Sequence, residues 1–194
     1  NRDSWWFMFF YAITFGGFAG FASALPGYFH DQFGFAPKLA GWATAACVLA
    51  GSLMRPLGGV IADRVGGTRS LQMVYLAVTV LVGLSALGIG GPLLAVVLFV
   101  ATLLCLGAGN GAVFQLVPQR FGAEIGLMTG LIGMAGGVGG FLLAAGLGVV
   151  KQQAGTYAPG LWLFAGIALA ASVCLATVRQ RWRLHWAALG TARV

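Results

Sequence analysis

The stretch Gly58–Arg69, GGVIADRVGGTR, is a short charged segment between two long apolar stretches of the sequence. Gly66 and Gly67 allow a tight turn there, because glycine adopts backbone conformations that other residues avoid. Its charged residues are Asp63, Arg64 and Arg69. Arginines suit the lipid head groups, and an aspartate can face the positive N-terminal end of a neighbouring helix. The stretch therefore predicts a tight, charged turn between two helices.

The composition around this turn is that of an integral membrane protein. Of the 194 residues, 59% are hydrophobic and only 8% are charged, whereas soluble domains carry about 25% charged residues. Glycine occurs 32 times, and small residues at this density allow close contact between helices in lipid. The three cysteines lack a metal-binding spacing, and the net charge of +7 is not gathered in a basic amphipathic module. We therefore expect no metal, no cofactor and no nucleic-acid partner.

Six segments are apolar for long enough to cross a bilayer, since a spanning helix needs about 20 such residues. The segments cover about residues 5–29, 39–62, 71–90, 93–117, 125–149 and 160–178. Their length favours helices over the shorter alternating strands of a barrel. The sequence therefore predicts that residues 1–194 form one all-α membrane domain, in which six transmembrane helices are followed by a cytoplasmic tail over residues 179–194.

The basic residues predict how these segments are oriented. An even number of spans places both termini on one side, where eight arginines fall: Arg2, Arg64, Arg69, Arg120, Arg179, Arg181, Arg183 and Arg193. Only Lys38 and Lys151 fall on the other side. The positive-inside rule therefore predicts that both termini are cytoplasmic. In the basic tail we expect Trp182 and Trp186 near the head groups, as a topology signal rather than a lipid-binding site.

Arg55 is the basic residue that this topology leaves unexplained. It precedes the cytoplasmic end of its predicted helix by a depth of about 10 Å, at about 1.5 Å per residue. Pro56 follows it and can bend the helix by removing a backbone hydrogen bond. Intramembrane ionisable residues usually face a polar cavity, although an arginine at this depth can also snorkel towards the head groups.

The acidic residues offer Arg55 no partner at its own depth. They are Asp3, Asp31, Asp63 and Glu124, which lie in loops or at helix ends. The partner of Arg55 is therefore an anionic ligand, a lipid phosphate or an acid from another polypeptide segment. The planar guanidinium pairs in bidentate fashion with small planar oxyanions such as nitrate, nitrite, formate or a carboxylate.

Four stretches carry a resemblance to a known family. GGVIADRVGGTR resembles the loop signature of the major facilitator superfamily, which joins the second and third helices of each six-helix half. FYAITFGGFAGF (Phe10–Phe21), GAGNGAVFQLVPQRFG (Gly107–Gly122) and GLIGMAGGVGGF (Gly130–Phe141) look like the carboxy-terminal half of the nitrate/nitrite porter family. The resemblance extends from about Trp5 to about Thr177.

The resemblance implies a substrate site and two signature segments. That family binds nitrate between two halves, with one arginine from each half and aromatic rings around the anion. The implied substrate-binding residues here are Arg55, Tyr11, Phe15 and Phe114, with Asn110 and Gln115 as nearby polar candidates. The implied conformational residues are Gly58, Gly59, Asp63, Arg64, Gly66, Gly67 and Arg69 in the loop, and Gly130, Gly133, Gly136, Gly137, Gly139 and Gly140 in the fifth span. The resemblance makes the fifth span a helix that changes curvature, whereas its glycines alone are equally compatible with static close packing.

The resemblance also implies the function. It predicts the carboxy-terminal half of a twelve-helix transporter that carries nitrate and nitrite by alternating access in the inner (plasma) membrane of a bacterium. Its partners are then these anions, the lipid bilayer and a missing amino-terminal six-helix half that carries a second arginine. A six-span protein that dimerises is the alternative to such a fragment.

The chemistry within the spans bears on the mechanism. They contain no carboxylate or histidine, which favours nitrate/nitrite exchange over proton-coupled symport. Another small anion, such as formate or a carboxylate, remains an alternative substrate. An enzyme would need a nucleophile with a base, or a metal cluster, at helix depth. The spans supply neither, so we expect a protein that is not an enzyme.

Overall fold

The computed structural model describes residues 2–187, and the surroundings of side chains up to Trp182. The regular secondary structure of these residues is helical, with short turns between the helices. The elements are α1 (Arg2–Phe33), α2 (Pro37–Val65), α3 (Gly67–Ala86), α4 (Gly91–Phe121), a 3-10 turn (Gly122–Glu124), α5 (Ile125–Ala154) and α6 (Ala158–Ala187). Residues 188–194 of the predicted tail lie outside the described residues.

The predicted apolar segments match these helices closely. Five of them fall inside one α-helix each, and the third, predicted to end at residue 90, ends at Ala86 instead. The prediction was wrong there because Gly88, Gly90 and Gly91 adopt positive φ angles that stop the helix. Five stretches of the described residues are long and apolar enough to cross a membrane, and one of them, Gly91–Ala154, includes both α4 and α5.

The turn between α2 and α3 consists of Gly66 alone. Its φ of 101° is in the region that favours glycine, and its N–H donates to the carbonyl of Ala62. The predicted tight turn is therefore confirmed. Asp63 does not cap α3, because the N-terminus of that helix carries no side-chain cap and Asp63 is exposed. Gly67 is instead the first residue of α3 and packs against Leu116 of α4.

Glycines allow two pairs of helices to approach closely. In the contact of α1 with α5, a Cβ on Gly139 would lie 2.4 Å from the carbonyl oxygen of Ala12. In the contact of α2 with α4, a Cβ on Gly107 would lie 2.0 Å from the carbonyl oxygen of Gly51. No side chain fits at either distance, so the glycine content follows from helix packing rather than from turns alone.

One end of the bundle is held by Asp3. Its carboxylate accepts a hydrogen bond from Arg120 Nε of α4 at 2.5 Å and one from Trp182 Nε1 of α6 at 3.0 Å. Trp182 also stacks on Phe7 with ring centroids 5.1 Å apart. Trp182 is buried among the helices at this end because α6 continues through the basic segment, and its expected place near the head groups stays a prediction. We call this region the Asp3 end; Trp186 is beyond the described side chains.

The opposite end carries a smaller polar group. The hydroxyl of Tyr157, between α5 and α6, donates to the carboxylate of Asp31 at 2.9 Å. Lys151 lies beside the same ring, with Nζ 5.4 Å from the ring centroid. Burial, the hydrogen bond to Asp31 and its negative charge raise the pKa of Tyr157 to about 12. We call this region the Tyr157 end.

Candidate functional site

The structure brings together all four side chains that the sequence analysis proposed for the substrate. The guanidinium carbon of Arg55 lies 5.3 Å from the ring centroid of Phe15. Phe15 stacks on Tyr11 with centroids 5.2 Å apart and planes 5° apart. Tyr11 meets Phe114 edge to face, with centroids 5.0 Å apart. A continuous set of contacts therefore links α1, α2 and α4 at one point in the bundle.

The helices place these residues at similar depth. Tyr11 and Phe15 are four residues apart, so they share a face of α1. At about 1.5 Å per residue, Tyr11 lies about 14 Å from the start of α1, and Arg55 and Phe114 lie about 15 Å and about 10 Å from the ends of α2 and α4. All three helix termini belong to the Asp3 end. Because α2 continues to Val65, Arg55 lies deeper than the sequence analysis predicted.

Phe18 is a member of the site that the sequence analysis missed. Its ring centroid lies 4.5 Å from the guanidinium carbon of Arg55, closer than that of Phe15. A cation is attracted to the face of an aromatic ring at such distances. Phe18 follows Phe15 by three residues, so helical spacing from Tyr11 and Phe15 could have indicated it. We refer to Tyr11, Phe15, Phe18 and Phe114 as the aromatic cluster.

Arg55 is a half-buried cation without an acidic partner in the part of the chain that the structure describes. Among the described residues it forms no salt bridge, and its Nε is buried without a hydrogen-bond acceptor. A buried donor that is left unpaired costs free energy, and the cost is larger for a charged group. The arrangement of one cation with unpaired donor capacity and several aromatic rings suits a small, weakly hydrated anion.

Two glycines allow neighbouring helices to pack closely here, one against Arg55 and one against the aromatic cluster. A Cβ on Gly111 of α4 would lie 2.1 Å from the carbonyl oxygen of Arg55, so α4 supports α2 at that residue. A Cβ on Gly136 of α5 would lie 2.8 Å from ring atoms of both Tyr11 and Phe15. The sequence analysis singled out Gly136 but not Gly111, because which α4 residue faces Arg55 depends on how the helices pack.

The glycines of the fifth span divide into two groups. Gly136, Gly139 and Gly140 contact α1, whereas a Cβ on Gly130, Gly133 or Gly137 would meet nothing within 4 Å. The spacing of these last three places them on one side of α5. Close packing within this chain therefore explains the first group and does not explain the second.

The two polar candidates on α4 have different surroundings. Asn110 is 3% exposed, and neither atom of its amide has a hydrogen-bond partner. Gln115 also has an unpaired buried oxygen, but that atom lies against Gly67 at the start of α3. Only Asn110 is placed on the side of α4 that carries Phe114. Within the part of the chain that the structure describes, no three His, Cys, Asp or Glu side chains form a group that could hold a metal.

Comparison with known proteins agrees with this architecture. Residues 4–186 match the sequence profile of the Major Facilitator Superfamily. The chain is 34% identical over 190 residues to the "Nitrite extrusion protein" of Bacillus subtilis, covering 95% of this chain and 47% of that protein. It is 36% identical over 171 residues to the "Probable nitrate/nitrite transporter NarK2" of Mycobacterium tuberculosis, covering 87% of this chain and 43% of that protein.

A third relative is more distant. The "Probable nitrate/nitrite antiporter NarK1" of Thermus thermophilus is 30% identical over 157 residues, covering 72% of this chain and 35% of that protein. The chain spans about half the length of the curated relatives from Bacillus and Mycobacterium. The profile match and these relatives confirm the resemblance seen in the sequence. The chain belongs to the Major Facilitator Superfamily, and it is similar over most of its length to these relatives named as nitrate or nitrite transporters.

Proposed function

We propose that this chain is the carboxy-terminal six-helix half of a twelve-helix transporter, and that each of its α-helices crosses the membrane once. The chain spans about half the length of its relatives from Bacillus and Mycobacterium, which supports this division. In this superfamily the substrate site lies near the bilayer midplane, between two repeats. The missing half then supplies the other side of the site, and the protein is a transporter rather than an enzyme.

The proposed activity is transport of nitrate and nitrite by alternating access. The observation that carries it is Arg55, a half-buried cation without an acidic partner among the described residues, set against the rings of Phe15 and Phe18. A planar guanidinium can hold two oxygens of nitrate or nitrite at once. Aromatic walls cost such weakly hydrated anions less than they would cost a strongly hydrated anion such as phosphate.

We favour exchange of nitrate for nitrite over symport with protons. Proton coupling needs a group that titrates in the path of the anion. In the described part of the chain, every carboxylate and His30 lie at helix ends or turns, and none lies beside Arg55. A symport mechanism would therefore depend on a titrating group in the other half.

The remaining features fit a bacterial plasma-membrane protein. The Asp3 end is cytoplasmic in this proposal, because the arginine-rich turns gather there. The loop signature from Gly58 to Arg69 then lies at the cytoplasmic surface, and the open glycine face of α5 is available to a helix of the other half. In this proposal α5 bends against that helix as the transporter changes between its inward and outward states.

The experiment is anion uptake by the full-length protein in proteoliposomes. Vesicles are loaded with nitrite or left empty, with and without an inward proton gradient, and nitrate entry is followed. Uptake only into nitrite-loaded vesicles supports exchange, whereas uptake into empty vesicles driven by protons supports symport. Folded protein that moves formate or acetate but not nitrate would overturn the assigned substrate.

A further inference from the structure

The amide of Asn110 is the most deeply buried polar group without a partner near the aromatic cluster. Its side chain is 3% exposed, and both Nδ2 and Oδ1 lack a hydrogen bond in the described structure. Buried amides nearly always find partners, because leaving them unpaired forfeits the hydrogen bonds that water would provide. An apolar side chain of similar size would avoid that loss, so the amide calls for an explanation other than packing.

The position of Asn110 follows from the contacts on either side of it. Phe114 lies one turn further along the same face of α4 and meets the ring of Tyr11. Gly109, the preceding residue, faces Thr14 of α1, and Gly111, the following residue, faces the carbonyl of Arg55. Asn110 therefore lies between the α1 contact and the α2 contact, at the depth where the backbone of Arg55 meets α4.

The buried hydroxyl groups on these faces of α1 and α4 do not satisfy this amide. Thr14, opposite on α1, donates its hydroxyl hydrogen to the carbonyl of Phe10. Thr102, two turns earlier on α4, donates to the carbonyl of Leu98 within its own helix. Nδ2 of Asn110 on α4 and Nε of Arg55 on α2 are thus two buried, unpaired donors, and the backbones of these helices meet at Gly111, next to Asn110, and Arg55.

We propose that Asn110 is a second anion-binding residue of this half, whose amide N–H groups donate to an oxygen of the anion that Arg55 holds. This inference rests on the proposed function, because it places the ligand beside Arg55. A neutral donor adds a directed hydrogen bond to the charge of the guanidinium, and the two together favour an oxyanion over a monatomic anion such as chloride. The N–H groups of the amide are unpaired without the anion and paired with it.

The test uses the isosteric change Asn110→Leu in the full-length protein. Sodium nitrate is titrated against the purified protein at constant ionic strength with sodium chloride, and binding and thermal stability are both measured. We expect nitrate affinity to fall at least about tenfold, since a hydrogen bond to a charged partner is lost. We expect the stability without nitrate to stay equal or rise, because an unpaired amide is replaced by an apolar group of similar shape.

The matched control is Thr102→Val, which removes a buried hydroxyl from the same helix away from the cluster. Its nitrate affinity should equal that of the unaltered protein, and an equal loss in this variant would overturn the inference. If Asn110→Leu does not fold, Asn110→Asp is measured, and near-normal nitrate affinity in that negatively charged variant would overturn the inference as well.

Different results would contradict the proposed function and the proposed role of Asn110. Absence of nitrate binding by the unaltered, folded protein contradicts the proposed function and this inference with it. Nitrate binding that is equal in the unaltered protein and in Asn110→Leu contradicts the role of Asn110 alone.

Discussion

The guanidinium of Arg55 lies over the ring of Phe18, with Cζ 4.5 Å from the ring centroid. Cation–π contacts contribute about 0.5–1 kcal/mol at exposed sites and about 2 kcal/mol when desolvated. We therefore expect Phe18→Leu to weaken nitrate binding by about twofold to thirtyfold, because the ring no longer holds the guanidinium in place. The measurement is a nitrate titration of the full-length protein, with the melting temperature as a check on folding.

Phe21→Leu is the matched control for that change. Phe21 is buried one turn further along α1 and packs on Phe99 and Phe164 rather than on Arg55. It should lose stability as Phe18→Leu does but keep its nitrate affinity. Equal affinities in the two variants would mean that the contact between Arg55 and Phe18 does not support the anion.

The sequence predicted the helices and four members of the site for identifiable reasons. Long apolar segments allow little besides helices in a membrane, so the segment positions follow from hydropathy. Arg55 was visible because a charge inside such a segment is rare. Tyr11, Phe15 and Phe114, however, were identified through the family resemblance rather than through their spacing alone.

The features that sequence analysis missed depend on contacts between helices. Nothing local distinguishes Gly111, which supports Arg55, from the other glycines of α4. The contacts that bury Trp182 could not be predicted, because its partner Asp3 lies 179 residues earlier in the chain. In a membrane, apolar residues face both lipid and protein, so hydrophobic periodicity does not show which face of a helix is buried.

Gly111→Ala should damage the site through the backbone of Arg55. The added methyl would lie 2.1 Å from that carbonyl oxygen, so α2 and α4 must separate. Overpacking of this kind costs about 1–3 kcal/mol, and we expect both a lower melting temperature and weaker nitrate binding. Gly59→Ala is the comparison, because a Cβ there would have only an ordinary contact of 3.8 Å. A Gly111→Ala protein that is as stable as Gly59→Ala would contradict the packing described here.

Changes on α5 can separate tight packing from a role in movement. Gly139→Ala places a methyl 2.4 Å from the carbonyl oxygen of Ala12, whereas Gly137→Ala meets open space in this chain. We expect Gly139→Ala to lower the melting temperature of the full-length protein. We expect Gly137→Ala to keep that temperature but slow nitrate exchange, if this face of α5 slides against the other half. Unchanged exchange in Gly137→Ala would leave α5 as a statically packed helix.

The ion pair between Asp3 and Arg120 should contribute measurably to stability. The two side chains are 20% and 25% exposed, so their coupling should lie at or above the upper end of the range for exposed pairs, about 1 kcal/mol. Asp3→Asn and Arg120→Gln should each lower the melting temperature, and the double variant should lose less than the sum of the two. Strict additivity in this double-mutant cycle would show that the pair is not coupled.

At the Tyr157 end, the ionisation of Tyr157 makes the stability of the protein depend on pH. Burial, the hydrogen bond to Asp31 and its negative charge raise the pKa of Tyr157 from 10.0 to about 12 in the folded protein. Between these values the unfolded chain loses a proton that the folded protein keeps, so unfolding becomes more favourable as the pH rises. We therefore expect this contribution to stability to be complete below pH 10 and lost as the pH approaches 12.

The measurement is the ultraviolet titration of tyrosinate, taken as the difference between the unaltered protein and Tyr157→Phe. Asp31→Asn removes the negative charge and should bring the pKa of Tyr157 closer to 10.0, although burial keeps it above that value. The same variant should lose stability at a lower pH than the unaltered protein. If Tyr157 titrates identically in the unaltered protein and in Asp31→Asn, Asp31 does not act on it. Burial would then be the sole cause of the raised pKa.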